Sequence, residues 1–402
     1  MRTLPLRRAG LLALAVGATV GLAACSGGAG SGSVAPTSGS SAPDADATRV
    51  ALSDPGGIVV LDGKTLEVVG DAPSEEFTRL NAAGDGRHIM VTTSAGFQVL
   101  DAGTAATGPV LTDLVFEADK PGHVVVHGGK TVLYADGTSD TTVFDTDALQ
   151  ASTVDLPATE VIPGVQAHHG VSIVLEDGTF LTTVGNAEGR TGVVAKDRSG
   201  AAIAQNADCP GVHGEGTAQG EVVVFGCENG ALVYDDGVFT KLTAPDQPYG
   251  RMGNAYVSET SPLIIGDYKD DPDAEGYLLH RVALIDTEAK VQTVVDLPAG
   301  VEYTFRDIAR GPGDLGYILA TDGSIHVIDP ATGTLTDSYP VIDPWEGPAE
   351  WQDAHPAIKV SGDTAYVTEP AKNAVYAVDL TSGEVLASAT LKVTPNEIAL
   401  TR

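Results

Sequence analysis

From about residue 48 onward the chain is a succession of short alternating or continuously apolar runs, and hardly any segment repeats its apolar residues at helical spacing. Gly-containing turns punctuate these runs, among them Asp62-Gly63, Glu176-Asp177-Gly178, Glu228-Asn229-Gly230, Asp235-Asp236-Gly237, Asp322-Gly323 and Ser382-Gly383. Aligning the turns exposes a repeating unit of strand, tight turn, strand and an Asp close to a Gly. It occurs in HIMVTTSAGFQVLDAG (88–103), HVVVHGGKTVLYADG (123–137), EVVVFGCENGALVYDDG (221–237), YILATDGSIHVIDPATG (317–333) and AYVTEPAKNAVYAVDLTSG (365–383). Units of this kind repeating every ~40–50 residues predict an all-β chain built as a β-propeller, in which each sheet buries its faces on its neighbours.

The repeats place blades near 76–108, 109–155, 160–206, 208–245, 250–299, 302–341 and 350–392. Residues 48–72 then supply three strands, around Val50, Val59 and Val68, and the tail Thr394 to Leu400 supplies one more. Joined, they form a composite blade that closes the ring by pairing N- and C-terminal strands. The expectation is therefore about eight blades over residues 48–402, with seven as the alternative if two assignments merge.

What precedes residue 48 reads differently. Arg7 and Arg8 lead into an apolar run from Ala9 to Ala24 that ends in Leu22-Ala23-Ala24-Cys25, the pattern of a secretory signal, and the run is too short and Gly-rich for a comfortable membrane span. Leu-Ala-Ala-Cys resembles the lipobox of bacterial lipoproteins, which implies a lipid thioether on Cys25. Residues 1–25 are thus expected to be a signal peptide with lipobox cysteine. Residues 26–47, rich in Ser, Gly, Ala and Pro, are expected to be an unstructured linker. The mature protein is then lipid-anchored on the outer face of the cell membrane.

Charge narrows the function classes. Taking away Arg2, Arg7 and Arg8 of the leader moves the formal net charge from −31 to −34. Such a surface repels phosphate backbones and anionic headgroups, so nucleic-acid binding is excluded and membrane attachment is left to the lipid. Acidity by itself is no metal site. Cys209 and Cys227 remain as an even pair in an oxidising compartment, and a disulfide is expected. The other reading, thiolate zinc ligands, lacks CxxC-type spacing.

The chain has no HExxH, GxSxG, P-loop or dinucleotide fingerprint, and a non-enzymatic binding protein is expected. In a propeller the start of each inner strand and the end of the next strand meet at one rim of the central channel. On the repeat alignment, inner-strand starts carry Arg79, Asp113, His168 with His169, His213 and Arg306, and His127 closes the strand after Asp113. His355 is left open. Asp113, His127, His168, His169 and His213 would offer imidazoles and a carboxylate to one spot, a donor set that suits Zn²⁺. Ordinary strand-end histidines without a metal would give the same pattern. His88, His123, His280 and His326 are read as structural. The acidic turn Gly266–Glu275 could hold a cation or a partner, or be a solvated loop.

The segments TRLNAAGDGRHIMVTTSAGFQVLDAG, ADKPGHVVVHGG, DCPGVHGE, VVFGCENGALVYDDG, GDYKDDPDAE, YTFRDIARGP and DPWEGPAEWQ resemble those of the AztD zinc chaperones, propellers associated with zinc ABC importers. The resemblance implies Zn²⁺ as cargo, handed to the solute-binding protein of the importer. It supports His127, His168, His169 and His213 as ligands with Asp113 as a source of the fourth, in a protein expected to be a monomer. It departs at Asp101–Pro109, where a His-rich insertion characteristic of such chaperones is replaced by a stretch without histidine. A lipid-anchored propeller that binds a protein or another ligand, with incidental histidines, is the alternative.

Overall fold

The computed structural model describes residues 48–104 and 106–402; the expected signal peptide, Cys25 and the linker 26–47 lie outside them. Eight sheets, each built on four antiparallel strands, make an eight-bladed β-propeller; in one of them Gly250–Arg251 adds a short fifth strand, parallel to Asn229–Asp235. The composite blade is formed as expected. Ile398–Leu400 is its innermost strand and pairs with Arg49–Asp54 through Val50↔Leu400, Ala51↔Ala399 and Leu52↔Ile398. Gly57–Asp62 and Val68–Pro73 complete that sheet outward.

Burial follows position in the blade. Second strands such as His88–Thr93 and Val222–Cys227 are buried almost throughout, whereas the outermost strand Val291–Asp296 is mostly open to water. A strand covered on both faces reads as a continuous apolar run, which is why these segments carry so little alternation. The core is correspondingly divided into seams between adjacent blades. Ala51, Ile58 and Val60 of the closing blade pack on Leu80, Ile89 and Val91, and Val50, Leu52 and Leu61 pack on Tyr366 and Val375. Closure is thus held from both sides.

With blades numbered from the one after the closing blade, the second comprises Pro121–His127, Lys130–Ala135, Thr141–Asp145 and Glu160–Ile162 from the channel outward. The third begins at the channel with Ser172–Val174, and the fourth with His213–Ala218. Val223 and Phe225 of the fourth blade join Ile173 and Leu181 of the third and Val125 and Val132 of the second in one buried cluster. The expected Cys209–Cys227 disulfide lies in it, tying the entry to the fourth blade to the end of its second strand.

One blade boundary differs from the sequence reading. Asp113 lies in Val110–Glu117, the outermost strand of the first blade rather than the inner strand of the second. Pro121–His127 is an edge strand, paired only with Lys130–Ala135, and it abuts Ser172–Val174 and His88–Thr93 of the neighbouring blades, which puts it on the channel side. The Gly128-Gly129 turn joins first and second strands here, whereas Ser94-Ala95 in the preceding blade joins second and third. The two repeats look alike in sequence and are one strand out of phase.

Candidate metal centre

Three imidazoles from three neighbouring blades meet at the channel. His123 comes from the inner strand of the second blade, His169 from the segment leading into the third, and His213 from the first position of the fourth. Their ring centroids form a nearly equilateral triangle, with separations of 5.1, 5.1 and 5.0 Å. One ligand nitrogen from each lies within 4.8 Å of the others.

Both strands that supply a ligand are irregular at that point. The register of Pro121–His127 against its neighbour shifts between Pro121 and Val124, and that of His213–Ala218 shifts between His213 and Glu215. Such bulges re-aim a side chain out of the regular pleat. Gly214 adopts φ +48°, a left-handed conformation that costs glycine little, and a Cβ there would stand 2.2 Å from the Gly253 carbonyl oxygen. That carbonyl accepts a hydrogen bond from His213 Nδ1 at 2.6 Å. Gly122 has an equivalent role: a Cβ on it would stand 2.4 Å from Asp136 Oδ1, and the same carboxylate accepts from His169 Nδ1 at 2.6 Å.

These partners settle the tautomers. A carbonyl oxygen can only accept, so His213 carries a proton on Nδ1, and the Asp136 carboxylate likewise accepts from Nδ1 of His169; in the neutral rings both Nε2 atoms present lone pairs. The two Nε2 atoms then face each other at 2.9 Å. His123 Nε2 is buried with no hydrogen-bond partner. These three nitrogens form a donor set that a cation would complete. Tetrahedral ligand atoms ~2.0–2.1 Å from a zinc ion stand ~3.3 Å apart, within the range these nitrogens span.

Electrostatics favours the neutral form of His123 and His213. Burial, then the neighbouring imidazoles, Arg79 and Arg190, hold His123 well below the usual histidine range. Burial likewise lowers His213 to about 3, against the favourable bond to Gly253. Further support comes from Asp267, which the sequence places at the start of the acidic turn and the structure places in the strand Leu263–Tyr268. Asp267 is buried, its ionisation disfavoured by that burial, and accepts hydrogen bonds from Gly253 N at 2.5 Å and Asn254 N at 2.9 Å, fixing the segment that carries the His213 acceptor. An outer ligand partner of this sort is part of how a metal site holds its geometry.

The structure brings together two of the residues expected from sequence, His169 and His213, and places the others apart. His168 points the opposite way from His169, into a buried network with Tyr134 Oη at 3.1 Å, Ser139 Oγ at 2.9 Å and Thr183 Oγ1 at 3.1 Å. His127 stands at the far end of the strand from His123, ~13 Å along it, and meets Glu221 at 2.6 Å. Asp113 is three strands out from the channel, in a separate groove with Asp119 and Asp140. His123, read as structural from sequence, takes the place in the site that those residues were expected to fill. The signal that could have found it is the number of strands after it: three follow within the same blade before the next begins. Among the remaining histidines, His88, His326 and His280 each face one carboxylate, Asp85 at 2.5 Å, Asp322 at 2.9 Å and Asp270 at 3.7 Å.

No family model matches the chain. Zinc chaperone AztD of Citrobacter koseri is 27% identical over 349 residues, which cover 81% of this chain and 78% of that protein. The solved structure of apo AztD from the same organism superposes with a TM-score of 0.73 at 22% identity, covering 89% of this chain and 98% of that one. A further crystal structure of C. koseri AztD gives 0.72 at 22% identity, with 88% and 97% covered. The dihydro-heme d1 dehydrogenase NirN shares the architecture more loosely, at TM-score 0.55 and 13% identity, over 91% of this chain and 76% of that one. The AztD resemblance read from the sequence is thus found again both in a curated relative and in solved structures of the same fold.

Proposed function

We propose that this chain is an extracytoplasmic zinc chaperone, held at the outer face of the cell membrane by lipid on Cys25, that carries Zn²⁺ on His123, His169 and His213 and passes it to the solute-binding protein of a zinc ABC importer. The observation that carries the metal reading is the arrangement of nitrogens. His169 and His213, each anchored through Nδ1, oppose their lone pairs at 2.9 Å beside the unpartnered Nε2 of His123. A divalent cation converts that opposition into three bonds. The similarity to a zinc chaperone supports zinc as the ion and transfer as its fate.

Three imidazoles would leave one tetrahedral position of a zinc ion open, and the three rings line the channel cavity from which a further ligand could reach it. A donor from an acceptor protein can enter there before any histidine lets go, so zinc moves by ligand exchange rather than by full release. The same three-histidine set with an open position also serves catalytic zinc. Transfer and turnover are separated by assay: a chaperone hands its ion on stoichiometrically and consumes no substrate.

The experiment is elemental analysis of residues 26–402, purified without a tag, loaded with zinc and dialysed extensively; the ring closes within residues 48–400 and folds as a unit. About one retained zinc, lost in a folded H123A/H213A variant, supports the reading, in line with the ligand stoichiometry of a single three-histidine site. A folded protein that retains none refutes it, and leaves a propeller that binds some other ligand or a protein.

A further inference from the structure

In a protein of formal net charge −31, the cavity that holds the triad is lined by four cations, Arg79, Arg190, Arg251 and Lys269. Its volume is about 630 Å³, and Tyr249, Tyr277, Phe305 and Trp351 form much of the remaining wall. Two of the cations have partners. Arg251 faces Glu228 at 3.7 Å and donates to the Gly211 carbonyl at 3.4 Å, and Lys269 donates to the Ala274 carbonyl at 3.1 Å.

Arg79 and Arg190 do not. Among the described residues no carboxylate lies within ion-pair distance of either guanidinium, neither guanidinium donates a hydrogen bond, and Arg79 Nε is buried without a partner. The Arg79 guanidinium lies over the Trp351 ring, 5.9 Å from its centroid, a contact that leaves its N–H groups without acceptors. Glu228 and Asp136 act on Arg190 only from beyond bonding distance. Half-buried guanidiniums left unpaired are unfavourable, and a protein rich in carboxylates has had every opportunity to pair them.

Loading makes the imbalance larger. The three ligands are neutral imidazoles, so zinc brings two positive charges into a cavity that already holds two unpaired guanidiniums. An anion at the fourth position answers both needs. A carboxylate fits best, because one oxygen can bind the metal while the other meets the planar N–H fork of an arginine. We infer that the fourth zinc position is filled by a carboxylate held by Arg79 and Arg190, so that metal and carboxylate bind together. This rests on the zinc reading of the triad. The carboxylate comes either from a small free acid or from an acidic side chain of a docking protein.

Cobalt(II) in place of zinc reports its fourth ligand through its visible bands. Residues 26–402 are titrated with cobalt in a chloride buffer free of carboxylates, then with acetate or with a capped Gly-Glu-Gly peptide that bears one carboxylate. The bands are expected to move on addition, and the apparent cobalt Kd to tighten about tenfold, the scale of one charge-assisted hydrogen bond. The R79Q/R190Q variant should bind cobalt without carboxylate and show neither change, while R190K, which keeps the charge but not the fork, should keep part of the tightening. A response to acetate and not to the peptide identifies a free acid as the source; a response to the peptide at lower concentration identifies an acidic side chain. Cobalt that binds with bands and affinity indifferent to both overturns the inference while leaving the metal site intact, as does an R79Q/R190Q variant that responds like the wild type. Failure to bind cobalt and zinc at all overturns the metal reading itself.

Discussion

His169 and His213 face each other Nε2 to Nε2 at 2.9 Å, and neither ring is free to turn away, because Asp136 and the Gly253 carbonyl hold their Nδ1 atoms at 2.6 Å. With both rings neutral and their protons on the outer nitrogens, the inner pair has no proton to share. The arrangement is unfavourable empty and favourable around a cation.

Replacing any one of His123, His169 or His213 by alanine is therefore expected to weaken zinc binding by about a hundredfold or more, since one of three metal bonds is lost. H168A should leave zinc affinity unchanged and lower stability by about 2–3 kcal/mol, because it breaks a buried network with Tyr134, Ser139 and Thr183. H127A, at a part-exposed pair with Glu221, should do neither beyond about 1 kcal/mol. Zinc competition with a chromophoric chelator and urea unfolding on the same set of variants decide it. Loss of zinc from H168A but not from H123A would reverse the assignment.

The outer partners should matter almost as much as the ligands. D136N removes the charge that orients His169 and is expected to cost about 10–100-fold in zinc affinity with little change in fold. Gly122→Ala should give the same phenotype indirectly, since its Cβ would occupy space 2.4 Å from the Asp136 carboxylate. The same competition assay, with unfolding as control, tests both; a zinc affinity unmoved in D136N would show that His169 needs no anchor.

Acid stability has a separate source at His355. Its Nδ1 donates to the Asp353 carbonyl at 2.7 Å, its Nε2 is buried without a partner, and burial lowers it to about 4. The unfolded chain takes up this proton below about pH 6.5 while the folded one does not, so stability is fully present above that pH and falls as pH drops toward 4, by about 3 kcal/mol in all. Urea unfolding at pH 7 and pH 4.5 should show a loss in the wild type that is smaller in H355Q. Parallel losses in the two proteins would place the acid sensitivity elsewhere.

Cys209 and Cys227, 18 residues apart and buried, close a loop around the entry to the fourth blade, just ahead of His213. Replacing both with alanine is expected to cost about 3 kcal/mol by freeing the unfolded chain. Thermal unfolding of the double variant measures it. Zinc affinity, read at a temperature where the variant is folded, should change far less, because neither sulfur belongs to the cluster of three imidazoles.

The sequence alone carried the architecture. Strand-turn-strand units recurring in register, and an N-terminal segment one strand short of a blade with an orphan strand at the C-terminus, specify a closed ring because each sheet can bury its faces only on its neighbours. It also carried the convergence of His169 and His213, which depends on position within a repeat, and the pairing of Cys209 with Cys227. What it could not carry is which strand of the second blade faces the channel. Pro121–His127 and His88–Thr93 look alike as apolar runs before a tight turn, yet one is a first strand and the other a second, and only pairing distinguishes them. That single shift exchanges Asp113 for His123. Nor does sequence distinguish His168 from His169: adjacent residues point to opposite sides of the backbone, and which side is the channel is decided by the packing of three blades against one another.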